Sequence, residues 1–385
     1  MKTNVIALGA RYNDFTALMQ EVMLPMAAKH LRQKTPMLSR VHLDSASDVQ
    51  TVGDQISIQM PYKLSPMERL QNGQKSTPDT LNANKVTMKI DTNGVKDIVI
   101  TNREWVTHAN NNTLPGAFEA AVEAISDGIN QDIHKTALKC TYSVEGTNTG
   151  NARTKADLIA ARKHLVKKRA PSDGRFFFPT SESEADILNF MSNAAETGDT
   201  KAYRGEIGRL FEFDIVSDPG LDDVYTAGDA GTDYTVSGAH AAGSNSVTVS
   251  TAGATGFKMG DIVSFAGTEG TYCVQEDLSG PGELSIFPSL QADVADSAVV
   301  TALGEHRVDI AMHKSSVGIA FRGLEVAQGV ASGADIYNYT DPVTGIPMRV
   351  VSFFDPETRS NRWIFEVLYG CTPIRPELSV RVLGQ

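Results

Sequence analysis

Three cysteines in 385 residues, none in a C-x-x-C pair, leave no basis for a disulfide framework or a zinc ribbon. Cys140, Cys273 and Cys371 lie far apart and read as buried reduced thiols, since free Cys packs as a small hydrophobe. No window approaches the ~20 consecutive apolar residues of a membrane-spanning helix, and residues 1–9 lack the apolar core and cleavage site of a signal peptide. The expectation is a protein made and kept in a cytosol, or in something assembled there, without a membrane partner. With 35 bases against 46 acids, the chain lacks the basic surplus of a nucleic-acid binder and leaves room only for a confined basic patch.

Catalytic signatures are missing too. The eight histidines (30, 42, 108, 134, 164, 240, 306 and 313) form no H-E-x-x-H and no i, i+4 pair. His306 and His313 flank a strand-like stretch, where ordinary core or surface roles compete with metal binding. There is no G-x-S-x-G elbow, P-loop or G-x-G-x-x-G, and Gly205-Glu206-Ile207-Gly208 is too short to cradle a phosphate. Asp222, Asp223, Asp229 and Asp233 crowd a glycine-rich loop without EF-hand spacing, which leaves calcium binding against a solvated acidic turn. The expectation is no enzyme, no catalytic residue and no cofactor. Arg162, Lys163, Lys167, Lys168 and Arg169 make the one basic run, and no aromatic residues interleave with it as stacking on single strands requires. A solvated helix face or a protein contact fits it better.

What the chain does hold is a sharp division of charge. Residues 217–304 carry twelve acids and one base, Lys258, so the whole formal charge of −11 resides there and the remainder is neutral. Such a boundary marks an independently folding insertion. Its segments 247–249, 261–265, 272–275 and 284–287 are short, apolar and separated by Gly, Ser, Asn and Pro, the pattern of a small barrel or sandwich.

The host is read element by element. Residues 1–48 form a helical arm, with Phe15, Leu18, Val22 and Met26 at helical spacing and Pro25 and Pro36 interrupting. Ile56, Ile58 and Met60, then Val86, Met88 and Ile90, alternate with polar residues as two strands of one hairpin, and the alternation continues at Val95, Ile98 and Ile100. Between the two strands lie residues 63–84, a connection long enough to grip something. Thr113 and Pro115 start a long helix whose stripe is Phe118, Val122, Ile125, Ile129, Ile133 and Ala137, and Gly128 within it suggests a close neighbour. A second helix over 154–169 turns Leu158, Ala161, Leu165 and Val166 inward, a strand covers Phe176 to Phe178, a third helix over 183–195 is capped by Ser181 or Ser183, and residues 205–216 return to strand. The host ends in strands over 348–354 and 363–367 joined by a turn at Asp355-Pro356-Glu357-Thr358. Helices and strands do not alternate regularly, so the fold class is α+β and not a doubly wound sheet.

Three stretches resemble the tailed-phage major capsid (coat) proteins of the HK97-like fold, P22 coat-protein type with an inserted domain. They are Arg40-Val41-His42-Leu43-Asp44 with Val52-Gly53-Asp54-Gln55-Ile56-Ser57-Ile58, then Arg204-Gly205-Glu206-Ile207-Gly208-Arg209-Leu210 with Phe213-Asp214-Ile215, and last Asn361-Arg362-Trp363-Ile364-Phe365-Glu366-Val367-Leu368-Tyr369-Gly370 with Arg375-Pro376-Glu377. Glu212 departs from the pattern, standing where a small residue is usual. The resemblance implies an N-terminal arm (1–48), an extended loop (49–104), a peripheral-domain spine helix and axial domain (105–216), the inserted barrel (217–304), and a return through the axial domain to the peripheral strands (305–385). It further implies a subunit that assembles with itself as hexamers and pentamers into an icosahedral shell around double-stranded DNA, without sequence-specific contacts. Scaffolding and portal proteins would take part in assembly and a decoration protein could bind outside, with assembly in the bacterial cytoplasm and residence in the virion. Lys63, Glu68, Arg69, Lys75 and Asp79 on the extended loop are the candidate intersubunit ion-pair residues. The competing readings are an encapsulin-like cargo compartment and a cytosolic hydrolase with a β-sandwich module.

Overall fold

The computed structural model describes residues 29, 31, 35–44, 55–60, 67–69, 72, 75–76, 78, 85–101, 114–146, 153–195, 208–217, 224–228, 234–251, 256–307, 309–324, 334–341 and 346–383. The fold is α+β, with two six-stranded sheets, a long helix between them, and a closed barrel.

The long helix, α1 (Leu114–Cys140), follows from its apolar stripe. Phe118, Val122, Ile125, Ile129, Ile133 and Ala137 are all buried, while Glu123, Asp127 and Lys135 stay exposed. Burying each large side chain contributes about 1.5–3 kcal/mol, so the stripe alone fixes which side of α1 faces inward. That side packs on the first sheet, where Phe118 meets Trp363 edge-on at 5.3 Å and Phe365 at 5.5 Å between ring centroids. Gly128 has open space where a Cβ would be, so the close neighbour expected there is absent among the described residues.

The first sheet is built around the 14-residue strand Ser360–Pro373. Thr92–Thr101 runs antiparallel along one of its sides, and Pro347–Asp355 then Val317–Arg322 share the other. Ala334–Thr340 pairs outside Pro347–Asp355, and His42–Asp44 lies parallel to Val317–Arg322. Thr92–Thr101 therefore belongs to the sheet instead of prolonging the hairpin. Ile98 and Ile100 turn toward α1, but Val95 is on the opposite face and 49% exposed, against the single-face reading of the alternation. The first half of the arm lies outside the described residues.

In the second sheet the strand order is Val144–Glu145, Ser379–Val382, Asp309–His313, Arg175–Phe178, Phe213–Ile215, Arg209–Leu210. One face is covered by α2 (Lys155–Lys167) and α3 (Ser181–Ala195), whose Leu158, Ala161, Leu165 and Ile187 join Phe177, Phe213, Ala311, Val380 and Val382 in one core. The other face contributes Phe178, Ile310 and Met312 to the core under α1. Val166, expected inward, is 51% exposed because Ala161 and Leu165 already complete the buried stripe. Neither Ser181 nor Ser183 caps α3. The cap is Thr180, whose hydroxyl accepts from Ser183 N–H (3.4 Å) and whose carbonyl accepts from Glu184 N–H (2.9 Å). The buried Asp309 carboxylate ties this corner together, accepting from Thr180 N–H (2.7 Å), from Ser183 Oγ–H (2.6 Å) and from the buried Arg153 guanidinium.

The strand read over 205–216 is a tight hairpin instead, Arg209–Leu210 against Phe213–Ile215. Its two-residue turn holds Phe211 and Glu212 at φ 50° and 70°, a left-handed pair that matches strand twist but costs a non-glycine residue about 1–2 kcal/mol. Glu212 is held there by ion pairs to Arg162 (2.9 Å) and Arg175 (2.7 Å). Glu212, where the resemblance would place a small residue, thus has its own local chemistry, and Arg162 is withdrawn from the basic run.

Candidate assembly surfaces and the anchored barrel

Among the described residues, Gln55–Gln59 and Lys85–Lys89 pair only with each other, in the register Gln55↔Lys89 to Gln59↔Lys85. At the root of this ribbon Met88 and Ile90 are buried against Ala320, with Ile56, Ile58 and Leu368 packed around them. The strand beneath runs so close that a Cβ on Gly370 would lie 1.9 Å from the Lys89 carbonyl oxygen. Beyond the root the ribbon has no partner strand among the described residues. Of the loop candidates, Glu68, Arg69 and Lys75 are exposed, as is Met67 at 81%, while Lys63 and Asp79 lie outside the described residues.

A second exposed surface is the face of the first sheet turned away from α1. Val95 and Val99 lie there with two ion pairs, Arg362 to Asp97 and Arg349 to Glu366, and the Arg362 guanidinium sits 5.5 Å over the Phe353 ring. The face mixes apolar and charged groups, as rims of protein contacts do.

The acidic insert forms a closed six-stranded barrel in the order Tyr234–Val236, Ser246–Thr251, Gly282–Phe287, Tyr272–Val274, Ile262–Phe265, Val299–Ala302. Closure removes every sheet edge and encloses a core that includes Tyr234, Phe257, Phe265, Tyr272 and Leu284. Val224–Tyr225 and His306–Arg307 pair antiparallel as the neck joining barrel to host.

The barrel is docked on the C-terminal end of α1. Helix C-termini leave carbonyl oxygens without intrahelical donors, and here the insert supplies them. Cys273 Sγ donates to Leu138 O (3.3 Å) and Gln275 Nε2 to Lys139 O (2.8 Å), and just past the helix end Thr271 Oγ1 donates to Tyr142 O (2.6 Å), with Tyr142 edge-on to Phe287. Beneath them lies Arg381, 1% exposed, which donates from Nη2 to Leu138 O (2.5 Å) and lies 5.4 Å from the Tyr225 ring. A buried cation is tolerated only with partners, and the negative end of a helix dipole is one. Arg381 also fixes His306, whose Nε2 lies 3.3 Å from Nη1 while Nδ1 is 3.0 Å from Gly304 O. Those neighbours dictate a neutral ring with the proton on Nδ1. Burial first, and the Arg381 cation second, push the His306 pKa down to about 4. Burial likewise lifts the Cys140 thiol to about 12 and Cys273 to about 11, so neither is a reactive thiolate.

His306 is therefore part of the joint, and His313 is bonded to Asp173 O (3.0 Å) and Ser315 N–H (3.1 Å). Among the described residues no three His, Cys, Asp or Glu side chains are placed to hold a metal ion, and no helix is long and apolar enough to cross a membrane. The loop acids Asp222, Asp223, Asp229 and Asp233 lie outside the described residues. Arg381 and Tyr225 were not singled out by sequence. In Ser379-Val380-Arg381-Val382 the alternation marks Arg381 as opposite to the valines, and only the docked barrel turns that side into an interior.

No protein-family model and no curated protein matches the sequence. Among solved structures, the chain is similar to one from Mycobacterium phage Che8 at 14% identity and a TM-score of 0.49, covering 90% of each chain. It is similar to a capsid chain of the cyanophage P-SCSP1u at 11% identity and a TM-score of 0.46 (90% of this chain, 86% of that one), and to one from the mature capsid of bacteriophage PhiM1 at 12% identity and a TM-score of 0.46 (89% and 85%).

Proposed function

We propose that this chain is the major capsid protein of a tailed bacteriophage, a subunit that builds an icosahedral head shell of HK97-like architecture around double-stranded DNA. The observation that carries the reading is the Gln55–Gln59/Lys85–Lys89 ribbon, anchored at its root and pairing with nothing else beyond it among the described residues. It is followed in chain order by a spine helix, a second sheet and an inserted barrel, the sequence of elements that the resemblance implies. Weak contacts repeated over a closed shell give avidity without any strong one, and weakness allows misplaced subunits to be corrected. Hexamers and pentamers are the assembly units in this reading, with scaffolding and portal proteins as helpers in the host cytoplasm and an optional decoration protein outside. The −11 insert faces outward, because placing it in the lumen would add repulsion to a crowded polyanion.

The test is expression of the full chain, alone and with a scaffold, followed by size-exclusion chromatography and negative-stain imaging. Closed particles tens of nanometres across are expected. A monodisperse monomer under both conditions overturns the reading.

A further inference from the structure

The outer face of α2 is built as a contact surface. Ile159 and Val166, 50% and 51% exposed, are seven residues apart and so lie on one side of the helix, with exposed Lys163 between them. Exposed Lys167 and Lys168 extend the patch, and none of the three lysines makes an ion pair among the described residues. An apolar pair ringed by unspent cations fits an acidic protein surface. The chain itself carries one, the insert, and the exposed Glu276 and Glu283 have no partner there among the described residues. Glu283 lies on Gly282–Phe287 and Glu276 just past the end of Tyr272–Val274, the two segments joined by the Gln275 N–H to Ser285 O bond (3.0 Å).

The two surfaces belong to opposite sides of the second sheet. Val380 and Val382 face α2, whereas Arg381, alternating between them, faces α1 and the barrel. A protomer that is basic on one side and acidic on the other is set up for head-to-tail association, and head-to-tail contacts generate rings where the rotation between copies closes. Resting on the shell reading for the existence of neighbours, we propose that the α2 face of one copy docks the Glu276/Glu283 flank of the next copy's barrel.

The test uses the full chain assembled from a mixture of isotopically heavy and light copies, treated with a zero-length carbodiimide that joins lysine to carboxylate. Heavy-to-light peptides linking Lys163 or Lys167 to Glu276 or Glu283 are expected. Lys163→Glu with Lys167→Glu should shift the concentration for association upward by about tenfold, and adding Glu276→Lys with Glu283→Lys should restore it. Circular dichroism melting verifies that each variant folds, and the wild-type linkage map stands whether or not they do. Particles lacking these inter-copy links, or reversal without rescue, overturn this contact and leave the shell reading intact. Retention of DNA lost on reversal with assembly unchanged also overturns it, since the face would then meet nucleic acid. A wild-type chain that never associates overturns both.

Discussion

Arg381 sets how the barrel sits. Replacing it with Met keeps much of its bulk but leaves the Leu138 carbonyl without its charged donor, and a hydrogen bond to a charged group contributes about 1.5–3 kcal/mol. Urea unfolding of Arg381→Met should show that loss, and intrinsic fluorescence or exchange should place it at the joint. His306, packed between Arg381 and the Tyr225 ring, adds a pH dependence. Its folded pKa of about 4 is below the unfolded value near 6.5, so the unfolded chain binds the proton first as pH falls. Stability is full above about pH 6.5 and declines toward pH 4, by on the order of 2–3 kcal/mol from this residue. His164, pushed to about 4 by burial and by Lys168 and Lys167, acts in the same direction, while the raised pKa of buried Asp261 opposes it. Urea midpoints between pH 7 and 4.5 should fall for the wild type and fall less for His306→Gln. An equal slope in both would remove His306 from the account. None of this joint was legible in sequence, because residues 138, 225, 273, 306 and 381 meet only through the docking of an insert.

Elements whose own periodicity decided their packing were read well from the sequence. The α1 stripe is buried residue for residue, and the alternation at Ile56, Ile58, Val86 and Met88 is a ribbon in register. The misreadings fell where a neighbour competed with local pattern: Val166, displaced by a stripe already complete, Thr92–Thr101, captured by the long strand of the first sheet, and the tight turn at Phe211 and Glu212, paid in strain and held by two arginines. Gly128 separates two ideas about α1. With open space at its Cβ, Gly128→Ala should raise stability of the isolated chain by about 0.5–1 kcal/mol. A variant that is more stable yet blocked in assembly would mean that the space is filled by a neighbouring copy, and a destabilised one would contradict the packing described. Gly370 is the opposite case. Alanine there must push the ribbon root off the strand below, an overpacking cost of about 1–3 kcal/mol, and faster exchange of the Lys85–Lys89 amides is the expected signature.

At the scale of the molecule, stability and association are separable. The three cores under α1, under α2 and α3, and inside the barrel are complete within one chain, whereas the ribbon past its root contributes to none of them. Residues 60–84 can therefore be removed without touching a described core. Joining Gln59 to Lys85 through Asn-Gly keeps their antiparallel register and supplies the two-residue turn that such a pair accepts. The shortened chain should melt within a few degrees of the wild type, since Met88 and Ile90 still pack on Ala320. It should also fail to form particles, because it has lost Glu68, Arg69 and Lys75, exposed charges that single substitutions at ~0.2–1 kcal/mol each would barely test. Calorimetry and negative-stain imaging on the same preparation read both quantities. Particles of normal size from the shortened chain would show that the tip is not an assembly contact, and a large drop in melting temperature would show that it is part of the protomer's own core.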